Sequence, residues 1–201
     1  LPATFPRNAG DIPTASGGTA RYPGTVNPAS NCNFGPQSAP CPYYQETYSE
    51  GVMIGYRWYD SRRIKPAFPF GFGLSYTRFR FTHLVVKRRG RHGATARVTV
   101  RNVSSRTGFA VPELYVSLPS LAGVPEPPWQ LKGFAKVALA PGQSRRVSLS
   151  LDARSFSYWS DAARGWRIGR GCVKIAVGSS SRDLPLRAAM AQGGAICRAS
   201  G

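Results

Sequence analysis

With nine acidic side chains against 27 lysines and arginines and two histidines, this chain has few groups from which to build acid–base or metal chemistry. The most productive use of carboxylates would be a facing pair. Retaining hydrolysis of a glycosidic bond needs two carboxyl groups about 5–5.5 Å apart across the sugar. Glu46 and Glu50 lie four residues apart, with Asp60 following. Asp152, Asp161 and Asp183 stand at the ends of strand-like runs, where aspartate ordinarily bonds nearby backbone. Neither group has the layout of an acid and a nucleophile on opposite sides of a substrate. The sequence also lacks a Gly-x-Ser-x-Gly elbow, a phosphate-binding glycine loop and a metal-binding cluster. No catalytic, cofactor-binding or metal-ligating residue is assigned, no cofactor is expected, and the chain reads as non-catalytic by itself.

Cysteine chemistry is better supported. Cys32 and Cys41 form one close-spaced group, Cys172 and Cys197 another. With no Cys-x-x-Cys pair and only His83 and His92 as histidines, a zinc site is disfavoured. Two local disulfides, and with them an oxidising, secreted or extracellular location, are the better reading; four buried thiols are the alternative. Connectivity does not follow from the sequence, although a Cys32–Cys41 ring would clip a Pro/Gly/Asn loop at least cost.

Among the tryptophans, Trp129 in a proline-rich loop is the one expected to be partly exposed and is the candidate glycan contact. Packing is the competing role for each of the others. Trp58 is expected inside an aromatic run, Trp159 closing the sandwich, and Trp166 covering a hairpin. Asn102-Val103-Ser104 is a glycosylation sequon at the turn after a strand, meaningful only in a eukaryotic source.

The net charge of +18 would attract anionic polymers. No acidic residue occurs between Asp60 and Glu113, a stretch that passes Arg62, Arg63, Lys65, Arg78, Arg80, Lys87, Arg88, Arg89, Arg91, Arg97, Arg101 and Arg106. These charges are spread over strands and turns rather than gathered in one block, which favours a solvated or partner-facing role. Nucleic acid is an unlikely partner, because no RNA- or DNA-binding motif accompanies the charge.

The elements that must position these residues are strands. Residues 1 to about 50 are rich in Pro, Gly, Ser, Asn and Thr, a longer structureless stretch than a compact domain tolerates, so they should wrap or complete another domain. In residues 51–80 aromatics alternate with glycines, which lets rings lie where the backbone bends closely around them. From residue 79 the apolar period becomes two: Ala96, Val98 and Val100 alternate with Arg97, Thr99 and Arg101, and Val147, Leu149 and Leu151 with Arg146, Ser148 and Ser150. A turn at Pro141-Gly142 separates two such runs, and Cys172–Gly178 is the last clear strand. About seven short strands with one apolar face each predict an all-β, antiparallel, immunoglobulin-like sandwich. The expected division is residues 1–77 as the end of a preceding domain plus linker, 78–185 as the sandwich, and 186–201 as a C-terminal tail. No apolar run approaches the ~20 residues of a membrane span, no signal peptide opens the chain, and a (β/α)8 barrel of about 250 residues does not fit.

Several phrases resemble the family 3 glycoside hydrolases, which include β-glucosidases and β-xylosidases. Leu1–Pro6 (LPATFP) is similar to the strand and exit near the end of that family's α/β domain. Tyr48–Asp60 (YSEGVMIGYRWYD) resembles its linker, and Phe68–Phe79 (FPFGFGLSYTRF) its entry to the last domain. Glu113–Val116, Leu131–Val137 (LKGFAKV) and Leu139–Gly142 (LAPG) follow the pattern of its fibronectin type III-like domain. The resemblance covers nearly the whole chain in order and implies a secreted, retaining β-glycosidase. Its aspartate nucleophile would sit on a barrel and its acid/base glutamate on the α/β domain, both upstream of Leu1. Glu50, which precedes a glycine in the linker phrase, would then order the linker. The implied partners are those catalytic domains, with polysaccharide as a further candidate. The alternative is a stand-alone extracellular sandwich that binds carbohydrate or acidic polymer, or serves as a scaffold.

Overall fold

The computed structural model describes residues 1–15, 22, 24–26, 44–121, 123–193 and 197. Its strands are β1 (Thr25–Val26), β2 (Tyr44–Gln45), β3 (Phe79–Arg89), β4 (Gly93–Asn102), β5 (Gly108–Ala110), β6 (Glu113–Ser117), β7 (Gln130–Phe134), β8 (Val137–Leu139), β9 (Ser144–Leu151), β10 (Ser157–Ser160), β11 (Gly165–Ile168), β12 (Gly171–Gly178) and β13 (Leu186–Gln192). One helix, α1 (Tyr56–Ser61), precedes β3.

Two antiparallel sheets face each other, one ordered β3-β4-β9 and the other β13-β12-β6-β7. Alternation explains which side chains meet between them, since successive residues of a strand point to opposite faces. Ala94, Ala96, Val98 and Val100 of β4 and Val147, Leu149 and Leu151 of β9 meet Leu114 and Val116 of β6 and Val173, Ile175 and Val177 of β12 in one buried cluster. Each fully buried aliphatic side chain contributes about 1.5–3 kcal/mol. Arg97, Arg101, Arg145 and Arg146, on the same strands, stay exposed. Phe156, fully buried, belongs to this core, whereas Trp159 is exposed. Contrary to expectation, then, the residue that packs into the sandwich from this segment is Phe156 and not Trp159.

The Pro141-Gly142 turn forms as read: Gln143 N–H donates to the Ala140 carbonyl at 3.1 Å. Gly142 takes φ +72°, the left-handed value that the third residue of such a turn requires. A register shift between Thr82 and Val85 marks a bulge in β3, where His83 has φ +55°.

The division at residue 185 needs correction. β13 pairs with β12 from Leu186 to Gln192, so the supposed tail begins as an edge strand of the sandwich. Cys172 and Cys197 are joined by a disulfide with Cα atoms 5.4 Å apart. Cys32 and Cys41 lie outside the described residues. No described helix is long and apolar enough to cross a membrane.

Candidate functional site

Unlike a strand of a free-standing sheet, β6 is buried on both of its faces. Glu113, Leu114, Tyr115 and Val116 are all buried, although only Leu114 and Val116 belong to the inter-sheet core. Tyr115 and Ala176, register partners on neighbouring strands, join Leu184 in a second cluster, against which Tyr56, Trp129 and Leu131 pack. This outer face is covered by the segment that leads into the sandwich.

Helix α1 supplies the main anchor. Tyr56 meets Tyr115 edge to face at 5.9 Å and Phe70 at 5.3 Å, and its hydroxyl accepts the Leu131 N–H at 2.8 Å. Buried Trp58 donates its indole N–H to the Asp11 carbonyl at 3.0 Å, so the expectation that it packs inside the linker is met. Phe5 and Phe68 form an antiparallel bridge, which ties the N-terminal segment to the linker. Arg182, from the β12–β13 connection, pairs with Asp60 at 2.6 Å and donates to the Ile64 carbonyl at 2.8 Å. Ser181 N–H donates to the Phe70 carbonyl at 2.9 Å.

Glu113 lies in the same seam. Tyr115 Oη donates to its Oε2 at 2.5 Å, and a Cβ placed on Gly71, at φ +83°, would collide with its carboxylate. Burial pushes the Glu113 carboxyl up to about 7, against the downward pull of the Tyr115 hydrogen bond. Burial likewise raises Asp60, opposed by the charge and hydrogen bond of Arg182.

A second feature lies at the β10–β11 hairpin. Trp159 and Trp166 are register partners, both are exposed, and their rings meet edge to face at 5.5 Å. They border a cleft of about 780 Å³ that also receives Arg57, Glu126, Gln130, Lys132, Arg154 and Asp161.

The other candidates fall in scattered places. Trp129 is half-buried and packs on the Tyr115 cluster, with the Arg187 guanidinium 6.0 Å from its ring; the openly exposed tryptophans are instead Trp159 and Trp166. Asn102 is fully buried. Its amide donates to the Arg106 carbonyl at 2.7 Å and the Leu139 carbonyl at 2.9 Å, and its Oδ1 accepts from Ser104 N–H at 2.9 Å. In this structure the sequon forms a turn, with the Asn102 amide nitrogen engaged inside the fold. Glu46 is exposed and Glu50 half-buried, while Asp60 is taken by Arg182. Asp152 caps the short 3-10 turn Ala153–Phe156 through Ser155 N–H at 2.8 Å, and Asp183 accepts from Ser179 Oγ at 2.5 Å. Among the described residues no group of His, Cys, Asp and Glu is arranged to hold a metal.

These features define a fibronectin type III-like sandwich with a docked aromatic linker, and the fibronectin type III-like domain family matches residues 110–181. The chain is 42% identical over 137 residues to an exo-α-(1→6)-L-arabinopyranosidase of Bifidobacterium breve, covering 68% of this chain and 18% of that protein. It is 38% identical over 143 residues to the thermostable β-glucosidase B of Acetivibrio thermocellus, covering 70% of this chain and 19% of that protein. Among solved structures, DesR, a β-glucosidase from Streptomyces venezuelae in complex with D-glucose, superposes with a TM-score of 0.81 at 34% identity, over 94% of this chain and 22% of that one. A GH3 β-glucosidase of Bifidobacterium adolescentis gives 0.79 at 33% identity, over 94% and 25%. By sequence and fold this chain belongs with the family 3 glycoside hydrolases, as their C-terminal region. It spans about a fifth of the length of these curated relatives.

Proposed function

We propose that this chain is the non-catalytic C-terminal part of a secreted β-glycosidase, and that it holds the catalytic domains in place rather than acting on sugar itself. The observation that carries this is the seam: a strand, β6, buried on both faces, with Tyr56, Phe70 and the Arg182–Asp60 pair locking the incoming segment to its sheet. A sandwich built to stand alone has no need to bury a second face. Beyond the seam, Phe5, Phe68, Leu74, Tyr76, Phe109 and Phe134 remain exposed, more apolar surface than a finished exterior usually carries in one region. A neighbouring domain would cover it. The Cys172–Cys197 disulfide suits an oxidising compartment.

The test is to delete residues Arg78–Gly201 from the full-length parent and follow hydrolysis of an aryl β-glucoside together with thermal unfolding. The expected outcome is loss of activity with a lowered unfolding temperature. A truncated parent with unchanged kcat/KM and unchanged melting would overturn the supporting role. Native mass spectrometry of the purified chain checks the partnership: a co-purifying chain bearing a barrel is expected, and a lone 21.8 kDa species would shift the assignment to a separate module.

A further inference from the structure

The β10–β11 hairpin presents its tryptophans in an unusual way. A cross-strand aromatic pair normally stabilises a hairpin by burying ring against ring. Here Trp159 and Trp166 remain 47% and 45% exposed, and Arg154 lies over Trp166 with its guanidinium carbon 3.3 Å from the ring centroid. Stacking of this kind fixes a planar, five-donor fork in one orientation.

The cleft beside them, about 780 Å³, falls within the size range of small-molecule sites. Part of its lining is an ordered polar chain. Gln130 donates to Glu126 Oε2 at 2.5 Å and accepts from Lys132 Nζ at 2.9 Å. Arg57 reaches the same cleft from α1. Neither Arg57 nor Arg154 has a carboxylate partner among the described residues. Burial, then the Arg57 charge, pulls the Lys132 amine below the usual lysine range, with Arg154 adding to the effect and Glu126 opposing it. Three cations thus share a cleft with only Glu126 and Asp161 as acids.

We propose that this cleft is a binding site for a carboxylate-bearing pyranose, a uronic acid unit of a glycan, with its C–H face on Trp159 and its carboxylate held by Arg57 and Arg154. Hydroxyls of the same ring find acceptors and donors in Glu126 and Gln130. An aromatic wall, an acceptor–donor chain and two unpaired guanidinium groups together suit an acidic sugar. A base stack would leave the polar chain unused, and an inorganic anion would leave the tryptophans unused. The site shares α1 with the linker seam, since Arg57 reaches it from that helix, but it does not rest on the proposed supporting role.

The test is titration of the 201-residue chain with methyl β-glucuronide and methyl β-glucoside, followed by the indole N–H resonances of Trp159 and Trp166. The glucuronide is expected to shift both resonances saturably and to bind roughly ten-fold more tightly than the glucoside, as a charge-assisted contact requires. High salt should narrow that gap. Arg154→Gln should bring the two sugars to equal affinity, and Trp159→Ala should weaken both sugars. Because Trp159→Ala could loosen the hairpin, Trp159→Phe serves as the second variant, with weakened but retained binding expected. No saturable shift with either sugar overturns the site. Equal affinities, or an Arg154→Gln variant that keeps the preference, overturn the acidic-sugar assignment.

Discussion

Tyr115 donates its hydroxyl to Glu113 Oε2 at 2.5 Å, two residues along the same strand and beneath the linker. Side chains at i and i+2 share a face, so both point away from the inter-sheet core and into the seam. The pair puts a hydrogen-bonded carboxyl where an ordinary sandwich would meet water.

This has a consequence for pH. Glu113 is pushed up to about 7 from an ordinary 4.5, chiefly by burial. A carboxyl that holds its proton more tightly when folded contributes stability that is fully present below its unfolded value and lost as pH rises through its folded one. Stability should therefore fall between about pH 4.5 and 7, Glu113 contributing at most roughly 3 kcal/mol of the change. Asp60 and Glu126 are raised as well, burial leading in both, and act in the same direction. Urea unfolding at mildly acidic and mildly alkaline pH should show this slope in the parent sequence and a shallower one in Glu113→Gln. Identical slopes in the two proteins would remove Glu113 as its source.

The Arg182–Asp60 pair is asymmetric, with the carboxylate 7% and the guanidinium side chain 36% exposed. Arg182→Ala leaves a buried carboxylate without its partner and also frees the Ile64 carbonyl. Partial solvent access at Arg182 keeps the expected cost to about 1–3 kcal/mol. Limited proteolysis should then cut residues 56–77 faster, while the sandwich survives. Unchanged cleavage would mean that the aromatic contacts alone hold the linker.

Two glycines with positive φ should respond very differently to alanine. At Gly71 a Cβ would strike the Glu113 carboxylate, whereas at Gly142 it would enter open space. Gly142→Ala should cost about 1–2 kcal/mol from left-handed strain alone. Gly71→Ala adds displacement of a buried group to that strain, and its denaturation midpoint should fall clearly further. Equal midpoints would show that the linker yields freely.

Asn102 offers a check on modification and stability together. Intact mass from a eukaryotic host should show no glycan there, because the amide is buried and engaged. Asn102→Ala leaves the Arg106 and Leu139 carbonyls without that donor, at about 1–3 kcal/mol for each group left buried and unpaired. A glycosylated, normally stable protein would refute the assignment of this residue to the turn.

Breaking the Cys172–Cys197 bond should also be measurable. The sequence separation of 25 corresponds to about 3 kcal/mol of lost constraint on the unfolded chain. Cys197→Ser should lower the unfolding temperature without altering the strand order, and a change in mass on reduction confirms the bond. A Cys197→Ser variant melting at the original temperature would mean that β13 is held by its ladder alone.

Much of the sandwich was legible because its cause is local. Val98 and Val100 alternate with Thr99 and Arg101 on any strand, and Pro141-Gly142 selects its turn from the dihedral preferences of two residues. The same holds for Asp152, whose capping bond reaches only to Ser155. Where alternation failed as a guide, a distant segment was responsible. Tyr115 and Ala176 sit at positions that would face solvent, yet both are fully buried because α1 and the linker lie over them. Trp129 was read as partly exposed in its proline-rich loop, and it is half-buried; what the sequence did not show is that the Tyr115 cluster is what it packs on. Trp159 was read as closing the core, a place that Phe156 occupies. Asn102 carried a motif whose meaning depended wholly on whether its amide was free.

The sequence by itself determined the class of fold, the strand periods, the cysteine grouping and the family resemblance, all of which depend on residue type and short-range order along the chain. Tertiary structure alone decided which faces are covered. It brought Arg182 to Asp60, far apart in sequence, and gathered Arg57, Lys132, Arg154 and the two exposed tryptophans around one cleft. Burial and charge proximity are properties of the assembled chain, so no pattern within a single strand could announce them.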